Sequence, residues 1–148
     1  MPLHVTIHFN GWGDYPNPAG YTQEKVHSPW EGPYVRKVVT LEGVKHAMAP
    51  FADCGCPLEQ RVSAYLLSDL KAVVPFYELQ KAGDFKPGVT KGVEFTTGRV
   101  AAGAAELRDE IILAWRASAA AKVGYPPVAV ADVESGRVDP YDALYGGD

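Results

Sequence analysis

A chain of 148 residues, 47% of them hydrophobic and 11% aromatic, is long enough to bury a core and of ordinary size for one domain. Its net charge of −4, with the basic residues scattered, excludes the basic face of a nucleic-acid binder. No apolar run approaches the roughly 20 residues that cross a bilayer, and MPLHVTIHF has neither the basic start nor the long apolar segment of a secretion signal.

The cytoplasm, or a particle assembled there such as a virion, is therefore the expected place of action. In chain order, Leu3, Val5, Ile7 and Phe9 alternate with His4, Thr6 and His8, which predicts a half-buried strand. Residues 11–33, GWGDYPNPAGYTQEKVHSPWEGP, are broken by proline and glycine yet hold Trp12, Tyr15, Tyr21 and Trp30. The prolines forbid a regular ladder, and the rings argue against disorder. A long ordered loop of this kind is usually functional, and Trp and Tyr are the residues that anchor interfaces.

Tyr34–Leu41 reads as a second strand, with Val35, Val39 and Leu41 on one face and Tyr34 and Val38 on the other. Glu42-Gly43 is a turn. Leu58, Val62, Tyr65, Leu66 and Leu70 predict a helix over 57–72, ended by Pro75. Val73–Leu79 and Val93–Thr97 read as short strands, separated by turn signals between Gly83 and Gly92. The clearest helix spans 104–123. Leu107, Ile111, Ala114 and Ser118, with Trp115 at the edge, form its core stripe, while Ile112 and Leu113 fall among the charged positions and call for a second layer or another chain. Gly124, Pro126 and Pro127 stop it, 127–133 reads as a last strand, and 138–148 is an acidic tail carrying Tyr141, Leu144 and Tyr145. There is no internal repeat, so the organisation is a single domain over 1–137 followed by that tail.

Cys54-Gly55-Cys56 is the most reactive-looking stretch. It directly precedes a helix, whose dipole favours thiolate. Two cysteines so close do not make a disulfide framework. With His46 they supply three zinc ligands, and His4, His8 or His27 a fourth, although the one-residue gap is tighter than zinc sites usually show. Residues 51–67, FADCGCPLEQRVSAYLL, resemble the cysteine-bearing helix start of the NlpC-type and papain-like hydrolases. The resemblance implies Cys54 as nucleophile. In those families the histidine follows the cysteine, and this chain has no histidine after His46, so the implied base is His8 or His4 on the preceding strand, as in a permuted member. The alternative is a pair of small cysteines that only pack. Other chemistries lack their signatures: GVTKGVEFTTG is not a phosphate loop, no Gly-x-Ser-x-Gly elbow occurs, and neighbouring Asp109 and Glu110 do not face one another on a helix.

The fold expected from these elements is α+β: a mostly antiparallel sheet of about four or five strands, two helices near 57–72 and 104–123 packed on one face, and the aromatic loop 11–33. The function expected is that of a non-enzymatic assembly or interaction protein. It would form a homo-oligomer through Trp12, Tyr15, Tyr21, Trp30, Ile112, Leu113, Tyr141, Leu144 and Tyr145, with no cofactor. A composition rich in Ala and Val and poor in Ile and Asn points to a GC-rich genome, and a phage head–tail or tail-completion component is the version this suggests. Two other readings stand beside it: a thiol hydrolase or zinc protein centred on Cys54 and Cys56 with an upstream histidine, and an inhibitor or immunity-type protein that caps one target.

Overall fold

The computed structural model describes residues 11–145; the strand expected over 3–9, with His4 and His8, lies outside them. Among the described residues 61% are helical, and the sheet is a single antiparallel pair of two-residue strands. This overturns the expected α+β architecture: among the described residues there is no sheet of four or five strands for the helices at 57–72 and 104–123 to cover. No helix among the described residues is long and apolar enough to cross a membrane. Two compact units are present, one ending at Glu106 and the other beginning at Leu107.

In the first unit the expected second strand is helical. Helix α1 (His27–Pro29) runs into a π-helical turn, Trp30–Tyr34, and then α2 (Val35–Val38). Val26, Trp30 and Tyr34 recur every four residues and all three are buried, so a helical face meets the core. The alternation of Val35, Val39 and Leu41 covers too few residues to oppose it. Pro33, which has no N–H to donate, sits inside the widened turn. Thr40 caps α3 (Leu41–Ala47), its hydroxyl accepting the Gly43 N–H at 3.1 Å.

Helix α4 is Leu58–Lys71 and α5 is Val73–Ala82. Pro75, expected to end a helix, is instead the third residue of α5, where the amide has no intrahelical partner to lose. The expected strand 73–79 is overridden by Val73, Phe76 and Tyr77, which are buried at helical spacing. Gly83, at φ +75°, ends α5, and the Asp84 N–H reaches back to the Leu79 carbonyl at 2.9 Å.

Helix α6 is Thr90–Ser118, which absorbs the strand expected over 93–97. Gly92 is inside the helix and serves close approach: a Cβ there would meet the Asp84 carbonyl and the Tyr34 hydroxyl.

Phe76 and Tyr77 are fully buried at the centre of the first unit. Trp30 stands edge-on to Phe76 at 5.2 Å, Trp12 edge-on to Tyr77 at 4.9 Å, and Phe85 lies 4.9 Å from Phe76. Edge-to-face pairs of this kind each add about 0.5–1.5 kcal/mol beyond the area they bury. The buried Trp30 indole N–H donates to Thr96 Oγ1 at 3.1 Å, so the ring is fixed in orientation as well as covered.

The loop preceding α1 is ordered by side chain to backbone bonds. The Asn17 amide donates to the Tyr21 carbonyl and accepts the Tyr21 N–H, both at 2.8 Å. Lys81 Nζ donates to the Ala19 carbonyl at 2.6 Å, and the Tyr21 hydroxyl donates to Glu78. Between α4 and α6, Arg99 holds the buried Asp69 at 2.7 Å.

The second unit is lighter. Strands β1 (Lys122–Val123) and β2 (Val128–Ala129) pair Lys122 with Ala129 and Val123 with Val128. The last strand expected over 127–133 stops after two residues and becomes α7 (Val130–Glu134). Pro140 opens α8 (Pro140–Tyr145), with the Asp139 carboxylate accepting the Tyr141 N–H at 2.7 Å, so the acidic segment after Val138 carries a capped turn of helix.

Candidate functional site

The Cys54-Gly55-Cys56 step carries both the thiol and the zinc readings. In the structure Cys54 is disulfide-bonded to Cys56, with Cα atoms 5.1 Å apart, inside the range such bridges use. Gly55, at φ +61°, makes the reversal that lets two such near neighbours meet, a freedom the bare spacing did not reveal. Joined in this way, neither sulfur is a thiolate nucleophile or a metal ligand. His46 is exposed on α3, and His27 lies 3.2 Å from Glu31, one turn further along. His4 and His8 are outside the described residues. Among the described residues no group of three His, Cys, Asp or Glu side chains is placed to hold a metal ion.

The expected contact residues separate into two sets. Tyr21 and Trp30 are buried and Trp12 is half-buried in the aromatic core, whereas Tyr15 is 61% exposed. On α6 the expectation is inverted. Leu107, Ile111 and Trp115, read as facing the core, are 63%, 59% and 63% exposed, and Ile112 and Leu113 are half-buried. The inward side of that part of the helix carries Asp109, which is buried and paired with the neighbouring Arg108 at 2.6 Å. A position on the side expected to be charged and outward is thus buried, while the apolar row stands exposed. On α8, Tyr141 and Tyr145 lie one turn apart with ring centroids 5.3 Å apart, both exposed; Leu144 belongs to the same helix.

Sequence reasoning missed the outer face of α4. Leu58, Val62, Leu66 and Leu70, with Leu67 beside them, are all exposed. Leu58, Val62, Leu66 and Leu70 are, with Tyr65, the residues whose spacing marks the helix, and that spacing alone does not say which side faces inward. The opposing signal was present at the same spacing: Tyr65, Asp69 and Ala72 line the other side, and Asp69 and Ala72 are buried. Burial next to Asp69 raises the Tyr65 pKa, with the Asp69 charge adding to the effect of desolvation.

One cleft, of about 320 Å³, lies between the Trp30–Tyr34 turn and the end of α5, with Trp30, Tyr34 and Phe85 as walls and Lys25, Gln80 and Lys86 among its lining. That volume is at the lower end of small-molecule sites. The Tyr34 hydroxyl has no hydrogen-bond partner among the described residues and lies against Gly92. Burial first, and the Asp84 carboxylate second, raise its pKa above the ordinary tyrosine value.

Comparison of the chain with protein families, with curated proteins and with solved structures finds no match. The class that fold and surface together define is a helical protein with aromatic rings inside one unit and apolar helix rows left outside.

Proposed function

We propose that this chain is a non-enzymatic assembly protein that works through protein–protein contacts. The observation that carries the reading is the row Leu107, Ile111 and Trp115 on α6: three large apolar side chains at four-residue spacing, each about three-fifths exposed. Exposed apolar side chains scattered singly are ordinary, but a contiguous row on one helix face marks an interaction surface. The exposed Tyr141–Tyr145 pair is of the type found at interface anchors. Against an enzyme centred on Cys54 stands the bond between its sulfur and that of Cys56.

The test is Ile111→Glu. At an exposed position this substitution is expected to change folding stability by less than about 0.5 kcal/mol and to abolish association measured by sedimentation. Trp115 gives a second readout, because Trp12 and Trp30 are packed and Trp115 is not. Its fluorescence shifts to the blue as the face is covered. A large loss of stability in Ile111→Glu would show that the row is core rather than contact surface, and would end the proposal.

A further inference from the structure

A different helix names the partner for one such surface. Between Leu58 and Lys71 every exposed position of α4 is uncharged except Glu59 in the first turn and Lys71 at the last residue. The helix's two other charges are turned inward, Asp69 buried against Arg99 and Arg61 half-buried. A solvated helix face ordinarily carries charges of both signs along its whole length. This one carries Leu58, Val62, Leu66 and Leu70 in a four-residue row, with Leu67 beside it, an acid at one end and a base at the other.

We propose that α4 pairs antiparallel with α4 of a second copy of this chain across a two-fold axis. The charges decide the orientation. Antiparallel, Glu59 of each copy comes beside Lys71 of the other, twice per dimer, and the helix dipoles oppose. Parallel, Glu59 meets Glu59 and Lys71 meets Lys71, which is repulsive. The row fits the same conclusion. Side chains four residues apart form the ridge that interdigitates with an identical ridge, and a two-fold axis uses one patch twice. Ser63, also exposed, borders Leu66, Leu67 and Leu70 on the helix and is small enough to let the backbones approach. Fourteen residues of helix are roughly 21 Å long, so one such pair covers an area at the small end of specific interfaces, and the dimer dissociates on dilution.

The proposal rests on the assembly reading but uses a face that the Leu107–Trp115 row does not include, so the two fail separately. The experiment is sedimentation velocity on the full chain and on Glu59→Lys, Lys71→Glu and the double swap, over a range of concentrations. Each single variant faces like charges at both ends and is expected to weaken the dimer about tenfold, and the double swap to restore it. Leu66→Glu, at the middle of an exposed row, is expected to abolish the dimer while leaving unchanged the thermal midpoint measured at dilutions where the wild-type chain is monomeric. Single variants without effect, a double swap that stays weak, or a wild-type chain monomeric at every concentration would each overturn the proposal. Association that ignores the swaps and is lost in Ile111→Glu would overturn it while leaving the assembly reading intact.

Discussion

The unit that ends at Glu106 and the unit that begins at Leu107 are held by opposite means. The first is built on rings: Trp30, Phe76, Tyr77 and Phe85 touch one another and the loop before α1 is bonded down upon them. The second buries Asp109 and Ala143 and leaves large side chains such as Tyr125 and Trp115 to solvent. Its order comes from a tight hairpin, a capped turn and backbone contact. A core made of mutually contacting rings lends itself to cooperative loss, whereas turns and caps give way locally. Exposed apolar rows occur in both, Leu58, Val62, Leu66 and Leu70 in the first and Leu107, Ile111 and Trp115 in the second.

The contrast is broken most directly at Phe76. Phe76→Ala removes a fully buried ring touched by Trp30, Tyr77, Phe85 and Phe95, and is expected to cost about 4 kcal/mol in denaturant titration. A cost near 1 kcal/mol would mean that the rings are not the centre of stability. Gly124→Ala is the counterpart in the second unit. Gly124 has φ +78°, and a Cβ there would run into the Ala143 carbonyl. The left-handed backbone alone costs alanine about 1–2 kcal/mol. Hydrogen exchange is expected to quicken over 122–145 and to stay slow at Phe76 and Tyr77.

Tyr34 gives the smallest of these effects and sharpens the comparison by pH. Its pKa is raised, so the folded state holds the hydroxyl proton more tightly than the unfolded chain does. That stability is fully present below the unfolded value of 10.0 and is lost as pH rises through the higher folded value. Tyr21, raised chiefly by its hydrogen bond to Glu78, and Tyr65, raised chiefly by burial, act with the same sign in the same unit. Alkaline unfolding, followed by near-ultraviolet circular dichroism, is expected above about pH 10 and to be less steep in Tyr34→Phe. At neutral pH that variant is expected to be neutral or stabilised by less than about 1 kcal/mol, because the hydroxyl removed is buried with no partner among the described residues.

Helix α4 was legible because five apolar residues recur over fourteen positions, enough to fix a period. The segments at 34–41, 73–79 and 93–97 were not. Each is a short run with valine and other strand-favouring residues in which two residues at alternate positions look like a strand, and the packing of Trp30, Phe76 and Thr96 decides otherwise. Which side of a helix faces inward was less legible still. Hydropathy places Leu107 and Ile111 inward, whereas they are exposed and Asp109 is buried; on α4 Leu66 is exposed and the buried Asp69 is held by Arg99, a partner far along the chain that local spacing does not reveal. The bond between Cys54 and Cys56 was hidden for a similar reason, since it depends on the backbone angle of Gly55.

Two glycines in α6 carry different evolutionary loads. At Gly92 the neighbouring carbonyl of Asp84 and the Tyr34 hydroxyl occupy the space of any side chain, while at Gly98, two turns on, nothing stands within reach of a Cβ. Random drift under selection for folding would therefore replace Gly98 readily, alanine there being the better helix former, and would hold Gly92 fixed until the Asp84 loop had itself moved. The order in which substitutions accumulate along this helix is set by a backbone that passes too close on one side and leaves the other open.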